Sequence, residues 1–160
     1  MTFGRRQVAG WATGLIVVTV LLAGCAAGGP RNSAGQVTAP APADSFSLQV
    51  GDCTGPLTTG TVEKLTLVPC GQPHDWEVFA VTELDGDEYP GAGAVQDEAE
   101  EYCQDSFKRF IGVSAGKSEY DLNVLQPTRQ TWNQAADRAV TCLAGKDGGD
   151  LTGTLRDAGR

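Results

Sequence analysis

Five cysteines divide this 160-residue chain into a leader and a domain that we expect disulfides to hold together. The first, Cys25, ends the tetrapeptide Leu22-Ala23-Gly24-Cys25, which follows Arg5, Arg6 and an uncharged, largely apolar stretch. A basic start, a short apolar segment and small residues at its end are typical of a secretory signal peptide. The other four cysteines come later, at positions 53, 70, 103 and 142.

The tetrapeptide before the first cysteine resembles the lipobox of bacterial lipoproteins at every position. In such signals the cysteine thiol accepts a diacylglycerol, and the small residues before it let the signal peptidase cut. We therefore expect residues 1–24 to be removed and Cys25 to become the first residue of the mature protein. Its acyl chains, palmitate for example, would hold the protein on the extracytoplasmic face of the cell membrane. The alternative is an uncleaved membrane helix, since residues 11–27 are at the lower length limit for a span.

Composition changes after the lipidated cysteine. Residues 25–44 are rich in Ala, Gly and Pro, and their one aliphatic side chain larger than Ala is Val37. Such a segment cannot bury a core, which predicts a flexible-to-extended tether. Residues 45–160 are then expected to form one globular domain.

Hydrophobic periodicity predicts an α+β fold for this domain. An apolar residue at every third or fourth position over 94–111, with acids early and bases late, predicts one amphipathic helix that ends at Gly112. Alternating or β-branched runs predict strands at 45–50, 61–68, 76–84, 120–125 and 139–143, with a weaker one at 151–155. In the strand at 76–84, we expect Trp76, Val78 and Ala80 on one face and Phe79 and Val81 on the other. These elements predict an antiparallel sheet of about five or six strands with the helix packed on it.

The four remaining cysteines predict two disulfides, because export places them in an oxidising compartment. Three pairings are possible, and we favour Cys53–Cys70 and Cys103–Cys142. The first would join adjacent strand segments, and the second would fix the helix to a late strand. Zinc ligands would need closer spacing, and a catalytic redox pair would need C-x-x-C, so we expect no metal and no cofactor.

The net charge of the chain bears on which partners it can bind. The 12 basic and 20 acidic residues give a net charge of −8, which argues against a nucleic-acid partner.

The single histidine, His74, lies beside Asp75 and Glu77. On a strand these two acids share one face and the histidine points away, which favours a structural role over a ligand contact or acid–base catalysis. Trp132 and Arg138 are a second candidate contact pair, although a tryptophan covering the sheet is the simpler interpretation.

Several segments together resemble the septum-formation domain family of lipoproteins and membrane-anchored proteins from high-GC Gram-positive bacteria. The segments that carry the resemblance are Val50-Gly51-Asp52-Cys53, Cys70-Gly71-Gln72-Pro73-His74-Asp75-Trp76-Glu77-Val78, Cys103, Pro127-Thr128, Trp132, Arg138 and Cys142. The family tends to have Trp-x-x-Gly-Asp-Arg, whereas here the stretch from Trp132 to Arg138 has no glycine and one more residue. The resemblance supports the two disulfides, implies an association with division-septum formation and brings no enzyme activity with it.

We therefore expect a non-enzymatic, lipid-anchored module of the cell envelope. It would bind another envelope protein or a wall polymer near the membrane, in connection with septum formation and cell division. Two alternatives remain: a small secreted cell-wall enzyme that uses His74, and a lipoprotein that binds a small ligand.

Overall fold

A computed structural model describes residues 29–57 and 64–160. The predicted signal peptide and Cys25 lie outside the described residues, and so does the first part of the strand predicted at 61–68. No helix in the described ranges is long and apolar enough to cross a membrane.

The described chain forms one six-stranded antiparallel sheet with a long helix on it, which confirms the predicted α+β class. The strand order is β1-β3-β2-β4-β6-β5. The strands are β1 (Ala41–Asp44), β2 (Cys53–Thr54), β3 (Lys64–Val68), β4 (Trp76–Glu83), β5 (Asp121–Leu125) and β6 (Ala139–Gly145). The α-helices are α1 (Ala92–Ile111) and α2 (Arg129–Ala135), and short 3-10 turns cover Ser45–Ser47 and Ala115–Lys117.

Helix α1 forms where the periodicity predicts it and packs its apolar stripe on one face of the sheet. Val95, Ala99, Cys103 and Phe107 are fully buried there. The helix ends at Gly112, whose left-handed conformation, with φ of 98°, suits glycine. Lys108 and Arg109 lie in the last turn, where they complement the helix dipole.

The side chains of strand β4 are distributed between the two faces of the sheet differently from the prediction. Its pairing with β6 shifts register between Val78 and Ala80, so Phe79 is an extra residue at a bulge. Phe79 and Ala80 therefore both pack with α1, while Trp76 and Val78 pack on the opposite side of the sheet. Val81 packs on the same side as Trp76 and Val78. The predictions that Ala80 shares a face with Trp76 and Val78, and that Val81 shares one with Phe79, were both wrong, because simple alternation does not allow for a bulge.

Two of the predicted strands do not form. Residues 45–50 contain a 3-10 turn and a loop, and Phe46 and Val50 are 47% and 54% exposed. The carboxylate of Asp52 accepts the Gln49 N–H at 2.9 Å, which folds this segment into a turn instead of an extended strand. Residues 151–155 make only one isolated bridge, between Leu151 and His74.

The segment predicted as a tether belongs to the fold from residue 29 onward. Arg31 pairs with Val37 in an isolated bridge, and β1 pairs with β3 along its whole length. Val37 and Ala43 are buried against Leu67 and Trp76, on the face of the sheet opposite α1. Composition pointed to a tether because so few side chains here are apolar. Backbone pairing of residues 41–44 with β3 and burial of the few apolar side chains present order the segment.

Both favoured disulfides are present. Cys53–Cys70 joins β2 to the loop after β3, and Cys103–Cys142 joins α1 to β6. The sequence separations of 17 and 39 residues correspond to about 3 and about 4 kcal/mol of stabilisation on the loop-closure model.

Candidate functional site

His74 lies two residues before β4 and is buried, only 2% exposed. Its Nδ1 lies 2.9 Å from the carbonyl oxygen of Gln72, and its backbone exchanges two hydrogen bonds with Leu151. Its Nε2 is buried and has no hydrogen-bond partner among the described residues. The imidazole therefore fixes the turn that leads into β4.

Asp75 contacts the loop that follows β6. Its carboxylate accepts the Gly149 N–H at 3.2 Å, and its carbonyl accepts the Lys146 N–H at 3.0 Å. A Cβ on Gly145 would lie 2.0 Å from this carbonyl oxygen, so only glycine lets the end of β6 pass this close. Asp75 thus joins the start of β4 to the loop after β6 through its side chain and its backbone.

Glu77 is a buried carboxylate, 4% exposed, that anchors the C-terminal segment. One of its oxygens accepts the Thr154 hydroxyl at 2.7 Å, and the other accepts the Leu155 N–H at 2.6 Å. This pairing holds residues 154–155 against β4 and replaces the strand predicted there. It also places the next residue, Arg156, over the ring of Phe110, with 5.0 Å between the guanidinium carbon and the ring centroid.

The His-Asp-Glu cluster therefore does not converge on one point. Each of the three side chains bonds to a different part of the chain: the turn before β4, the loop after β6, or the C-terminal segment. Within the described ranges, no three or more His, Cys, Asp or Glu side chains are grouped so that they could hold a metal ion.

Trp132 and Arg138 form a stacked pair that supports the connection between β4 and α1. The guanidinium lies 3.6 Å from the indole centroid, and the indole N–H donates to the carbonyl of Asp87 at 3.1 Å. Arg138 also donates to four backbone carbonyls, those of Gly86, Asp87, Trp132 and Asp137. Trp132 is 2% exposed, so this pair is part of the scaffold and not an open contact surface.

Sequence reasoning missed the buried ion pair between Arg31 and Asp52. The two side chains meet through two hydrogen bonds of 2.6 and 2.9 Å, and they are only 14% and 2% exposed. The hydrogen bond to Asp52 raises the pKa of Arg31, against the opposing effect of burial. One signal was available, since Arg31 is the only charged residue between Arg6 and Asp44.

Two adjoining surface cavities lie where these anchored segments meet. The polar cavity, of about 540 Å³, is lined by the 34–36 and 49–51 loops, the outer end of the Cys53–Cys70 disulfide, Glu77 and Thr154. The aromatic cavity, of about 300 Å³, lies between α1 and β4 and is lined by Phe79, Tyr102, Arg109 and Phe110 among others. Val50 and Arg156 line both cavities. The ion pair of Asp52 fixes the loop that bears Val50, and Glu77 fixes the segment that bears Arg156.

The aromatic cavity combines apolar rings with arginines that have no acidic partner. The rings of Phe79 and Phe110 stack with 5.4 Å between centroids. Arg109 donates to the Ser106 hydroxyl at 2.9 Å. Neither Arg109 nor Arg156 forms a salt bridge within the part of the chain that the structure describes. This is a cationic, partly apolar patch on a protein of net charge −8.

A third groove, of about 620 Å³, lies between α1 and the outer strand β5. Its polar side chains are Gln96, Glu100, Gln104, Asn123 and Gln126. It carries no basic residue, so it differs in charge from the aromatic cavity.

Comparison with known proteins gives one match. The model of a family described as septum formation matches residues 9–142, which include every segment that carried the resemblance. Searches of curated proteins and of solved structures found no significant match.

Proposed function

Because this chain belongs to the septum-formation family, which supports a division-related role, we propose that it is a lipid-anchored, non-enzymatic binding module of the cell envelope. One observation carries the proposal. The reactive side chains of the family-like segments are used internally, in hydrogen bonds that hold loops. The open surface next to those loops bears Arg109 and Arg156, which form no salt bridge with any residue that the structure describes. Such an arrangement favours recognition over catalysis.

The fold limits how far the domain can lie from the membrane. The ion pair to Asp52 already fixes Arg31, so only six chain steps separate it from the predicted lipid anchor on Cys25. Six extended residues span at most about 20 Å. If Cys25 is acylated, Arg31 lies within that distance of the bilayer surface, so the domain and its partner are held next to the membrane. Confinement to this layer raises the effective concentration of both.

Localisation in dividing cells tests the division-related role. A fluorophore that folds outside the membrane is fused after Arg160 through a flexible linker, because Arg160 itself contacts Tyr120 and Ser118. We expect enrichment at mid-cell, followed by site-specific crosslinking from Val50 to a septal component. A uniform rim of fluorescence would contradict a septal function.

Replacement of Cys25 by Ala tests the anchor. We expect the Cys25→Ala protein to fold normally and to leave the membrane fraction. A variant that still fractionates entirely with the membrane would contradict lipidation and favour an uncleaved helix.

The competing function is a wall-active enzyme that uses His74. His74→Asn preserves a donor near the position of Nδ1 but removes Nε2, so we expect a folded protein that still localises and binds. The assay measures fragments released from purified cell walls by both proteins. Release by the natural protein and its loss in a folded His74→Asn variant would overturn the non-enzymatic proposal.

A further inference from the structure

We propose that the open edge of β4 binds an extended acidic peptide as an added strand, with Arg109 and Arg156 holding a carboxylate of that peptide. The inference rests on the binding function proposed above and names the partner class. The partner is a segment of another envelope protein that lies near the membrane surface.

The first observation is the unequal pairing of β4. Strand β6 pairs with β4 from Trp76 to Glu83, whereas β2 covers its other edge only at Trp76 and Glu77. The loop before β2 extends this contact by one residue, through 2.8 Å hydrogen bonds from Gly51 N–H to Val78 and from Val78 N–H to Asp52. Beyond Val78, no strand among the described residues pairs with this edge of β4.

The aromatic cavity opens at this edge. Phe79, Ala80 and Val81 of β4 line it. Phe79 and Ala80 pack on the α1 side of the sheet and Val81 on the opposite side, so the cavity reaches both sides of the strand at its edge. The carbonyl of Val81 accepts the Tyr102 hydroxyl at 3.2 Å. A carbonyl oxygen can accept two hydrogen bonds, so an added strand would share this acceptor with Tyr102. Phe79 and Ala80 are buried, so the unpaired edge is accessible from Val81 to Glu83. An accessible strand edge offers backbone donors and acceptors to an extended peptide, and adjacent cavities select its side chains.

The charge of the cavity indicates which peptide fits. Arg156 is held over Phe110 by the anchor at Glu77, and Arg109 is held by Ser106, so both guanidinium groups are positioned in advance. Guanidinium groups bind carboxylates through strong, paired hydrogen bonds. The exposed Val50 offers an apolar surface to a neighbouring side chain, beside the stacked rings of Phe79 and Phe110, which are themselves buried. The groove beside β5 lacks such cations, so charge complementarity favours the β4 edge.

The test begins with a phage-displayed library of random peptides of about twelve residues, selected on the full chain in detergent micelles. We expect enrichment of sequences in which Asp or Glu alternates with apolar or β-branched residues. Resynthesised peptides are then measured by fluorescence anisotropy. Arg109→Gln and Arg156→Gln should each weaken binding about tenfold. The matched control is Arg129→Gln, which changes an exposed arginine on α2 and should leave binding unchanged.

Backbone methylation separates strand addition from simple charge attraction. Only alternate N–H groups of an added strand face its partner. N-methylation of one alternate set in the selected peptide should abolish binding, and methylation of the intervening set should leave it. Equal effects of both sets would overturn strand addition, and unchanged binding by a folded Arg109→Gln/Arg156→Gln protein would overturn the assigned cavity.

Two further outcomes would overturn the peptide proposal but would not bear on the division-related role. One is a selection that yields no peptide above the micelle background. The other is arginine-dependent binding of purified wall polymer with no peptide binding. Mid-cell localisation is measured separately, so its failure and the failure of the peptide proposal are distinguishable.

Discussion

Arg31 donates two hydrogen bonds, of 2.6 and 2.9 Å, to the carboxylate of Asp52, which lies 21 residues further along the chain. The pair joins the segment before β1 to the loop before β2, and the carboxylate also accepts the Gln49 N–H. It therefore brings into the domain a stretch whose composition predicts no structure. It also fixes the loop that presents Val50 to both cavities.

Removal of the arginine should be costly. Arg31→Met leaves the buried Asp52 carboxylate without its cation, so we expect the free energy of unfolding to fall by about 3 kcal/mol. The measurement is urea denaturation of the single variant and of Arg31→Met/Asp52→Asn. The double variant buries no isolated charge and should recover part of the loss. Equal losses in the two proteins would show that the ion pair is not the cause.

A second buried carboxylate gives an independent prediction. Glu77→Gln places an amide where the carboxylate accepts from both Thr154 and Leu155, so one of these donors loses its acceptor. We expect a loss of about 2 kcal/mol in the free energy of unfolding and weaker peptide binding, because Arg156 follows the released segment. The control is Glu101→Gln, an exposed site on α1, which should change neither quantity.

The stacked pair of Trp132 and Arg138 predicts that lysine cannot replace arginine at position 138. Arg138→Lys keeps the charge but loses the stacking on Trp132 and most of the donors that serve four carbonyls. We expect a loss of about 2 kcal/mol and a shift in tryptophan fluorescence. Arg129→Lys, at an exposed arginine over Tyr89, is the control and should cost much less. Similar losses at both sites would contradict the role assigned to Arg138.

How far the sequence determines this fold depends on the range of the interactions. Helix α1 follows from local periodicity because it buries a regular apolar stripe, and β4 and β6 follow from runs of apolar and β-branched residues that are buried on both faces. Cysteine spacing and the order of the elements favoured both disulfides. The packing of residues 29–44 depends on Asp52 and on the edge of β3, which are distant in sequence, so composition alone could not show it.

The same distinction between local and long-range interactions applies to the candidate site. His74, Asp75 and Glu77 were found as a reactive cluster because they are close together in sequence. In the fold, Asp75 and Glu77 bond to two different distant segments, and the imidazole of His74 bonds to the turn before β4. The cavity residues Arg109, Phe110 and Arg156 were not found as a site, because α1 and the C-terminal segment meet only in the folded protein. Their positions depend on the bulge at Phe79 and the anchor at Glu77, and neither leaves a periodic signal.

Helix α2 ends at a strained alanine. Ala136 caps the helix with φ of 51° and ψ of 29°, a left-handed conformation that strains any residue with a Cβ. The glycine that the family tends to have in this stretch suits such a conformation. Ala136→Gly should therefore raise the free energy of unfolding by about 1 kcal/mol and the melting temperature by about 3 °C.

The neighbouring alanine provides the matched control for this prediction. Ala135 is the last residue of α2 and is exposed like Ala136, so the two positions differ mainly in backbone conformation. Ala135→Gly should lower the free energy of unfolding by about 0.5 kcal/mol, because glycine loses more backbone entropy in a helix. Thermal and urea denaturation of the two variants should thus give opposite signs. Destabilisation by both would mean that Ala136 is not held in the left-handed conformation in solution.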